Sequence, residues 1–296
     1  MKHAWLVALA IVGCKGDKSV HSDDNVKPAK PAITEPPPPV VADAPPPPQQ
    51  PAVAQDPIEA WAAVVSEATV DKAKLAGLYA AKPHHEDADE TQRDGLDAIA
   101  AWAASPHGTI EPQIVLRDKK HGAALVLANG HYGIAAFSFD ADAKITNEYI
   151  CIDPASKHAA ATALPAKIAV KIDDTKDPGD FAYKFEEAWD TGDAKALEAK
   201  LADDVVIYDS SVPGDIKGKA AAMDYAKQRW QVTPKRTSVY KPLWAAGDYI
   251  VDVIGWSSEK LKTNLIDCQL LEVKDGKVKS YWVVRDTAAV AKLTAK

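Results

Sequence analysis

The stretch WDTGDAKALEAKLADDVVIYD, Trp189 to Asp209, decides the fold, because in 21 residues it ends one helix, makes a second and begins a strand. Upstream, DFAYKFEEAWDT (Asp180 to Thr191) places Phe181, Phe185, Ala188 and Trp189 at helical spacing. Gly192-Asp193 breaks that helix and opens another, Ala194 to Leu201, with the aspartate in the N-cap position. DVVIYD, Asp204 to Asp209, is a short run of strand formers. A loop with Pro213 and Gly214 leads to Gly218-Lys219, where a third helix begins and runs to about Trp230. Four strand-like runs follow: Lys235 to Ala246, Tyr249 to Ser257, Thr263 to Val273 and Val278 to Arg285. The last two flank Lys274-Asp275-Gly276-Lys277, and Asp-Gly between apolar runs is a strong hairpin signal.

Helix, helix, strand, helix and an antiparallel meander define an α+β cone, a curved sheet folded over its helices. The Gly-Asp helix break, the acidic residue after the first strand, the Gly-Lys helix start (GKAAAMDY) and the terminal DGK hairpin followed by Asp286 resemble the NTF2-like superfamily. The likeness is greatest to its SnoaL-like branch. It covers residues 178–293. It implies a cone whose concave face can hold a pocket. It does not assign an activity, because this fold hosts enzymes, binding modules and oligomerisation domains alike.

The first half repeats the pattern in worn form. A shift of 122 lays Asp71 on Asp193, Leu75 on Leu197 and Asp87 on Asp209, and a shift of 123 lays Gly95 on Gly218. Near the end the shift is 133, pairing Asp142, Lys144, Ile145 and Asp153 with Asp275, Lys277, Val278 and Asp286, and Tyr149 with Trp282. Residues 57–155 therefore read as a second, degenerate NTF2-like cone. Residues 156–177 read as the connection, with KIAVKI (Lys167 to Ile172) as an optional added strand.

The N-terminal segment carries an address. Met1-Lys2-His3 precedes the apolar run Ala4 to Val12, which is long enough for a signal-peptide core and too short to span a bilayer. Ile11-Val12-Gly13-Cys14 resembles the bacterial lipobox, which implies cleavage after residue 13 and acylation, with palmitate among the chains, at Cys14. Residues 15–56 contain no aromatic side chain, and eleven prolines fall between Pro28 and Pro51. Such a segment reads as an extended, disordered tether. The expected localisation is outside the cytoplasm, on a bacterial membrane through the lipid anchor. The net charge of −7 and the lack of a basic stripe exclude nucleic acid as an expected partner.

For chemistry, the second cone offers five of the eight tryptophans, together with Tyr208 and Tyr249. Asp252 and Asp267 interrupt apolar strands, and Asp209 ends one. Burial raises a carboxyl pKa toward the range a general acid or base needs. Tyr208, Asp209, Asp252, Asp267 and Trp282 are accordingly the candidate pocket. Strand parity leaves the facing of Asp252 open, since both faces of its strand are apolar. His84-His85-Glu86-Asp87 with Asp89-Glu90 lacks the spacing of a zinc or calcium site and reads as a solvated acidic loop, and His107, His121 and His131 read as surface residues. Cys151 and Cys268 fall in different halves and read as small buried hydrophobes, unpaired. No dinucleotide fingerprint, P-loop, nucleophile elbow or CxxC motif appears, so neither cofactor nor metal is expected.

The function class expected from these residues is a membrane-anchored binding or interaction module. Its partners would be a small apolar or aromatic ligand, a second copy, or the other half of the same chain. One alternative is a SnoaL or ketosteroid-isomerase type of enzyme. An aspartate of the second half would then move a proton beside a carbonyl, and Tyr208 or an indole N–H would steady the oxyanion. A purely structural scaffold is the other.

Overall fold

A computed structural model of the chain describes residues 55–105, 107–159, 167–173, 178–259 and 264–294. Cys14, the apolar run before it and the proline-rich stretch lie outside the described residues. The first half comprises α1 (Pro57–Val65), α2 (Lys72–Leu78), β1 (Tyr79–Asp87), β2 (Gln92–Asp94), α3 (Leu96–Ala103), β3 (Ile110–Arg117), β4 (His121–Ala128), β5 (His131–Phe139), β6 (Ile145–Ile152) and β7 (Ile168–Lys171). The second comprises α4 (Gly179–Thr191), α5 (Ala194–Lys200), β8 (Leu201–Asp209), β9 (Ile216–Lys217), α6 (Lys219–Val232), β10 (Arg236–Ala246), β11 (Tyr249–Ser258), β12 (Leu265–Lys274), β13 (Lys277–Arg285) and α7 (Thr287–Thr294).

The two sheets share one strand order. The first runs β2-β1-β6-β5-β4-β3-β7 and the second β9-β8-β13-β12-β11-β10, so among the described residues β7, parallel to β3, is the one strand without a counterpart. Asp71 and Asp193 cap α2 and α5 by accepting backbone N–H groups, as short helices need. Gly192 ends α4 in the left-handed conformation, and Asp275-Gly276, both at positive φ, form the tight turn of the last hairpin. The strand expected from Asp204 starts earlier, at Leu201, because β8 follows α5 without a loop and pairs in parallel with β13 from its first residue.

Each half buries one sheet face under its own helices. Trp61, Leu75, Ile99 and Phe137 anchor the first core, and Phe185, Trp189, Leu197 and Tyr281 the second. The opposite faces of the two sheets bury against each other in a third apolar layer that contains Leu125 and Ile134 of one and Val251, Val253 and Leu270 of the other. That layer corrects the reading of the cysteines. Cys151 and Cys268 form a disulfide across it, with Cα atoms 5.9 Å apart. Membership in different halves separates residues only when the halves sit apart, and here their sheets are packed face to face.

A second correction concerns His84 to Asp87. This segment is the end of β1, hydrogen-bonded to β2 on one side and β6 on the other, not a solvated loop. Alternation along the strand sends its side chains to two buried faces. His85 turns to the helices against Trp102, and Glu86 turns to the other side, where Lys241 of β10 pairs with it at 2.5 Å. The same alternation settles Asp252: Val251 and Val253 belong to the layer between the sheets, so Asp252 faces the helices of its own half.

Candidate functional site

The concave interior of the second half holds a buried polar network. Glu186 and Asp190 project from α4, one turn apart, over Asp252 of β11 and over Asp267 and Gln269 of β12. Two guanidiniums thread between them. Arg236 lies 3.3 Å from Asp190 and 3.8 Å from Glu186, with its plane over Trp256, while Arg285 lies 3.2 Å from Asp267 and 3.5 Å from Asp209. Asp209 also accepts hydrogen bonds from the Tyr225 hydroxyl and from Ser211.

Burial divides these acids. It pushes Asp209 up, but Arg285, Arg229 and the hydroxyl donors outweigh it and hold the carboxyl at about 2. It pushes Glu186 to about 7 despite Arg236, and Asp252 is raised well above the usual range by burial and by Glu186 beside it. Four of the acids are shut from solvent, Asp209, Glu186, Asp252 and Asp267 being at most 1% exposed, while Asp190 and Arg236 at the edge of the network are partly buried. The opening bounded by Trp189, Tyr225, Arg236 and Arg285 measures about 10 Å³, the space of a single water.

The first half places a smaller charged group beside an open cavity. Both ring nitrogens of His85 are committed, one to Glu148 at 2.7 Å and one to Asp87 at 2.9 Å. Tyr79 donates to the second oxygen of Glu148, and Arg93 pairs with Asp87. Burial lowers the His85 pKa, but its two carboxylate partners prevail and raise it to about 9, so the ring is a buried imidazolium. In return His85 and Arg93 overcome the effect of burial on Asp87 and keep it ionised.

Asp87 then reaches the wall of a cavity of about 630 Å³ at the mouth of this half. Trp102, Ala128, Ile150 and Ile152 give it an apolar side, and Asp153 and the start of α7, Asp286 and Ala288, close the other. A volume of that size suits a small organic molecule. A separate groove of about 490 Å³ runs between α6 and α7.

The five residues marked in the sequence do not share a cavity. Asp209, Asp252 and Asp267 lie in the closed interior of the second half. Tyr208 and Trp282 lie on the other face of its sheet, stacked 5.1 Å apart in the layer between the sheets, with Tyr208 edge-on to Tyr132. None of the five lines the cavity of the first half. Glu186, Arg236 and Arg285 escaped sequence reading because nothing in their local context marks an inward charge. Asp153 and Asp286 were visible as matching positions in the sequence shift of 133, and their equivalent places, after β6 and after β13, are the signal for a common cavity.

Comparison with known proteins adds a family to this geometry. The model of the SnoaL-like domain matches residues 182–281. No curated protein matches the sequence. Among solved structures, the chain is similar to a LEH-like epoxide hydrolase of M. tuberculosis at 19% identity, covering 38% of this chain and 86% of that one (TM-score 0.33). It is similar to a Catenulispora acidiphila protein with a ketosteroid isomerase-like fold, solved with trimethylamine, at 15% identity over 40% and 95% of the two chains (TM-score 0.35). It is also similar to IdmH, a candidate polyketide cyclase of Streptomyces antibioticus, at 15% identity over 41% and 100% (TM-score 0.34). The α4–β13 arrangement and the matched residues agree, and residues 182–281 are a SnoaL-like domain of the NTF2-like fold.

Proposed function

We propose that the chain is an exported bacterial lipoprotein, anchored through Cys14, whose two halves are both NTF2-like cones and whose activity is to bind a small molecule at the mouth of the first. The observation that carries the binding site is the contrast in access: a cavity of about 630 Å³ opens in the first half, whereas the charged interior of the second is shut. The shared strand order and the 122- and 133-residue shifts support a degenerate cone in the first half. Export is supported by the apolar run ending at Cys14 and by the Cys151–Cys268 disulfide, a bond that persists in oxidising compartments. Multiple acyl chains on Cys14 would hold the protein at a membrane, since each buried methylene contributes about 0.8 kcal/mol.

The binding site is tested by fragment screening of the full chain against the Ala155→Trp and Ala288→Trp variants. Both residues are exposed at the cavity wall, so a bulky ring there fills the space and spares the core. Hits lost in both variants support the site; hits retained in both refute it. Mass spectrometry of the mature N-terminus tests the anchor, and an unmodified Cys14 overturns it.

A second reading, proton transfer in the second half, is favoured by one observation. Glu186, at a pKa of about 7, is poised to take or give a proton at neutral pH beside Asp252, whose carboxyl pKa burial raises well above its usual range. It requires the closed interior to open to substrate, and a carbonyl-substrate screen in which Glu186→Gln abolishes turnover is its test.

A further inference from the structure

We infer that the cavity at the mouth of the first half selects an organic cation with an apolar body, its charged end held near Asp153 and Asp286. The inference rests on the proposal that this cavity is a ligand site and adds the chemical class of the ligand. Among the described residues the lining contains four aspartates, Asp87, Asp89, Asp153 and Asp286, and neither lysine nor arginine.

Their charges are unequally compensated. Asp87 is paired with His85 and Arg93. Asp286 accepts from Ala289 N–H in the first turn of α7 and is partly balanced by the helix terminus. Asp153 accepts the backbone N–H groups of Ala155 at 3.0 Å and Thr287 at 3.2 Å and a side-chain hydrogen bond from Thr287, and among the described residues neither it nor Asp89 or Asp286 has a cationic side chain in an ion pair. The two histidines of the lining do not fill that role. His107 Nε2 bonds to the Trp102 carbonyl and His131 Nδ1 to that of His158.

Asp153 is 4% exposed, so its environment is one where an unbalanced negative charge is costly and an incoming positive charge is rewarded. Burial, and after it the charge of Asp286, raise the Asp153 pKa, the direction a neighbouring cation reverses. A metal ion is the wrong class: among the described residues no three His, Cys, Asp or Glu side chains converge to hold one. An ammonium group at one end of an apolar body satisfies both walls, with Ile150, Ile152 and Trp102 against the body.

The duplication explains how the pair arises. Asp153 follows β6 as Asp286 follows β13, and Thr287 N–H, donating to Asp153, ties the two strand ends into one cavity wall. The site therefore needs both halves.

Calorimetric titration of the full chain with 2-phenylethylammonium, 2-phenylethanol and 3-phenylpropanoate tests the class. The ammonium is expected to bind about tenfold or more tightly than the alcohol, the carboxylate not at all, and the ammonium affinity is expected to fall with salt. Asp153→Asn and, separately, Asp286→Asn are expected to lower the ammonium affinity about tenfold and leave the alcohol unchanged, with melting curves confirming that each variant folds. Equal binding of the alcohol or carboxylate, or unchanged ammonium affinity in both folded variants, overturns the charge preference while leaving the cavity as a ligand site. Absence of binding by all three probes overturns the cation assignment; if fragment hits also survive Ala155→Trp and Ala288→Trp, the cavity reading fails with it.

Discussion

Asp87 and Asp209 occupy the same place in the two halves, the last residue of the first strand of each sheet, and the chain has used them in opposite ways. Asp209 is sealed beneath α6, bound by Tyr225 and Ser211 and facing Arg285. Asp87 is held by His85 and Arg93 and looks into an open cavity. The difference follows from what covers each sheet. The second half has a 14-residue α6 and long strands that close the cone, whereas the first has an eight-residue α3 and leaves its mouth uncovered. Two halves with one strand order thus differ in access, one with a closed charged interior under the longer helix and the other with a cavity beside the shorter one.

The contrast is most sharply tested by breaking the sealed half. Arg285→Ala strips Asp209 and Asp267 of a buried partner and is expected to cost about 3–5 kcal/mol in urea unfolding. The corresponding loss in the open half, Arg93→Ala, removes a partly exposed partner of Asp87 and is expected to cost about 1 kcal/mol or less. Equal losses would mean that the two halves are built alike.

Next in size is the bond that joins them. Cys151→Ser with Cys268→Ser opens a loop closed by residues 117 apart in sequence, and a loss of about 2–5 kcal/mol is expected. Because the buried layer between the sheets remains, the reduced chain should still unfold in one transition; two separated transitions would show that the halves are held together chiefly by the disulfide.

Smaller effects appear in pH dependence, and they differ between the halves. The folded-state pKa of His85 is about 9 against an ordinary value of 6.5. Its contribution to stability is therefore complete below about pH 6.5 and is lost as pH rises through about 9. Urea midpoints from pH 7 to 10 should fall more steeply for the native chain than for His85→Gln. Glu186 is also raised, from 4.5 to about 7, so its contribution is present below about pH 4.5 and fades as pH rises through about 7. Glu186→Gln keeps the neutral form and should match the native chain at pH 5 while exceeding it by on the order of 1 kcal/mol at pH 8. A native chain that is the more stable at pH 8 would show that the carboxylate of Glu186 is better accommodated than its burial implies.

How much of this was legible in the sequence depended on whether the cause was local. The Gly192-Asp193 break, the Asp71 and Asp193 caps and the Asp275-Gly276 turn are set by neighbours in the chain, and they can be read directly. Helix α7 was not anticipated, because Thr287 to Thr294 is short and gains its place by packing Val290 on Ile254, Trp256 and Leu265. The disulfide was missed for the same reason: the proximity of Cys151 and Cys268 exists only once two sheets meet. Among the candidate site residues, Asp209 could be recognised as a strand-end acid and Asp252 and Asp267 as acids interrupting apolar strands, but the face to which those two turn could not be read. Whether a cavity accompanied them could not, since that depends on what α6 and its neighbours leave empty. The cavity of the first half was hidden behind His85, whose role emerges only when β1 is seen to pair on both sides.

The division between a closed half and an open one is tested most directly by the indole N–H resonances of the full chain, which report separately on each tryptophan. In titrations with 2-phenylethylammonium, the Trp102 signal at the cavity wall is expected to move saturably, while those of Trp189 and Trp256 in the second half stay fixed. Movement of Trp189 and Trp256 with Trp102 unchanged would place binding in the second half and contradict the assignment of the binding cavity to the first.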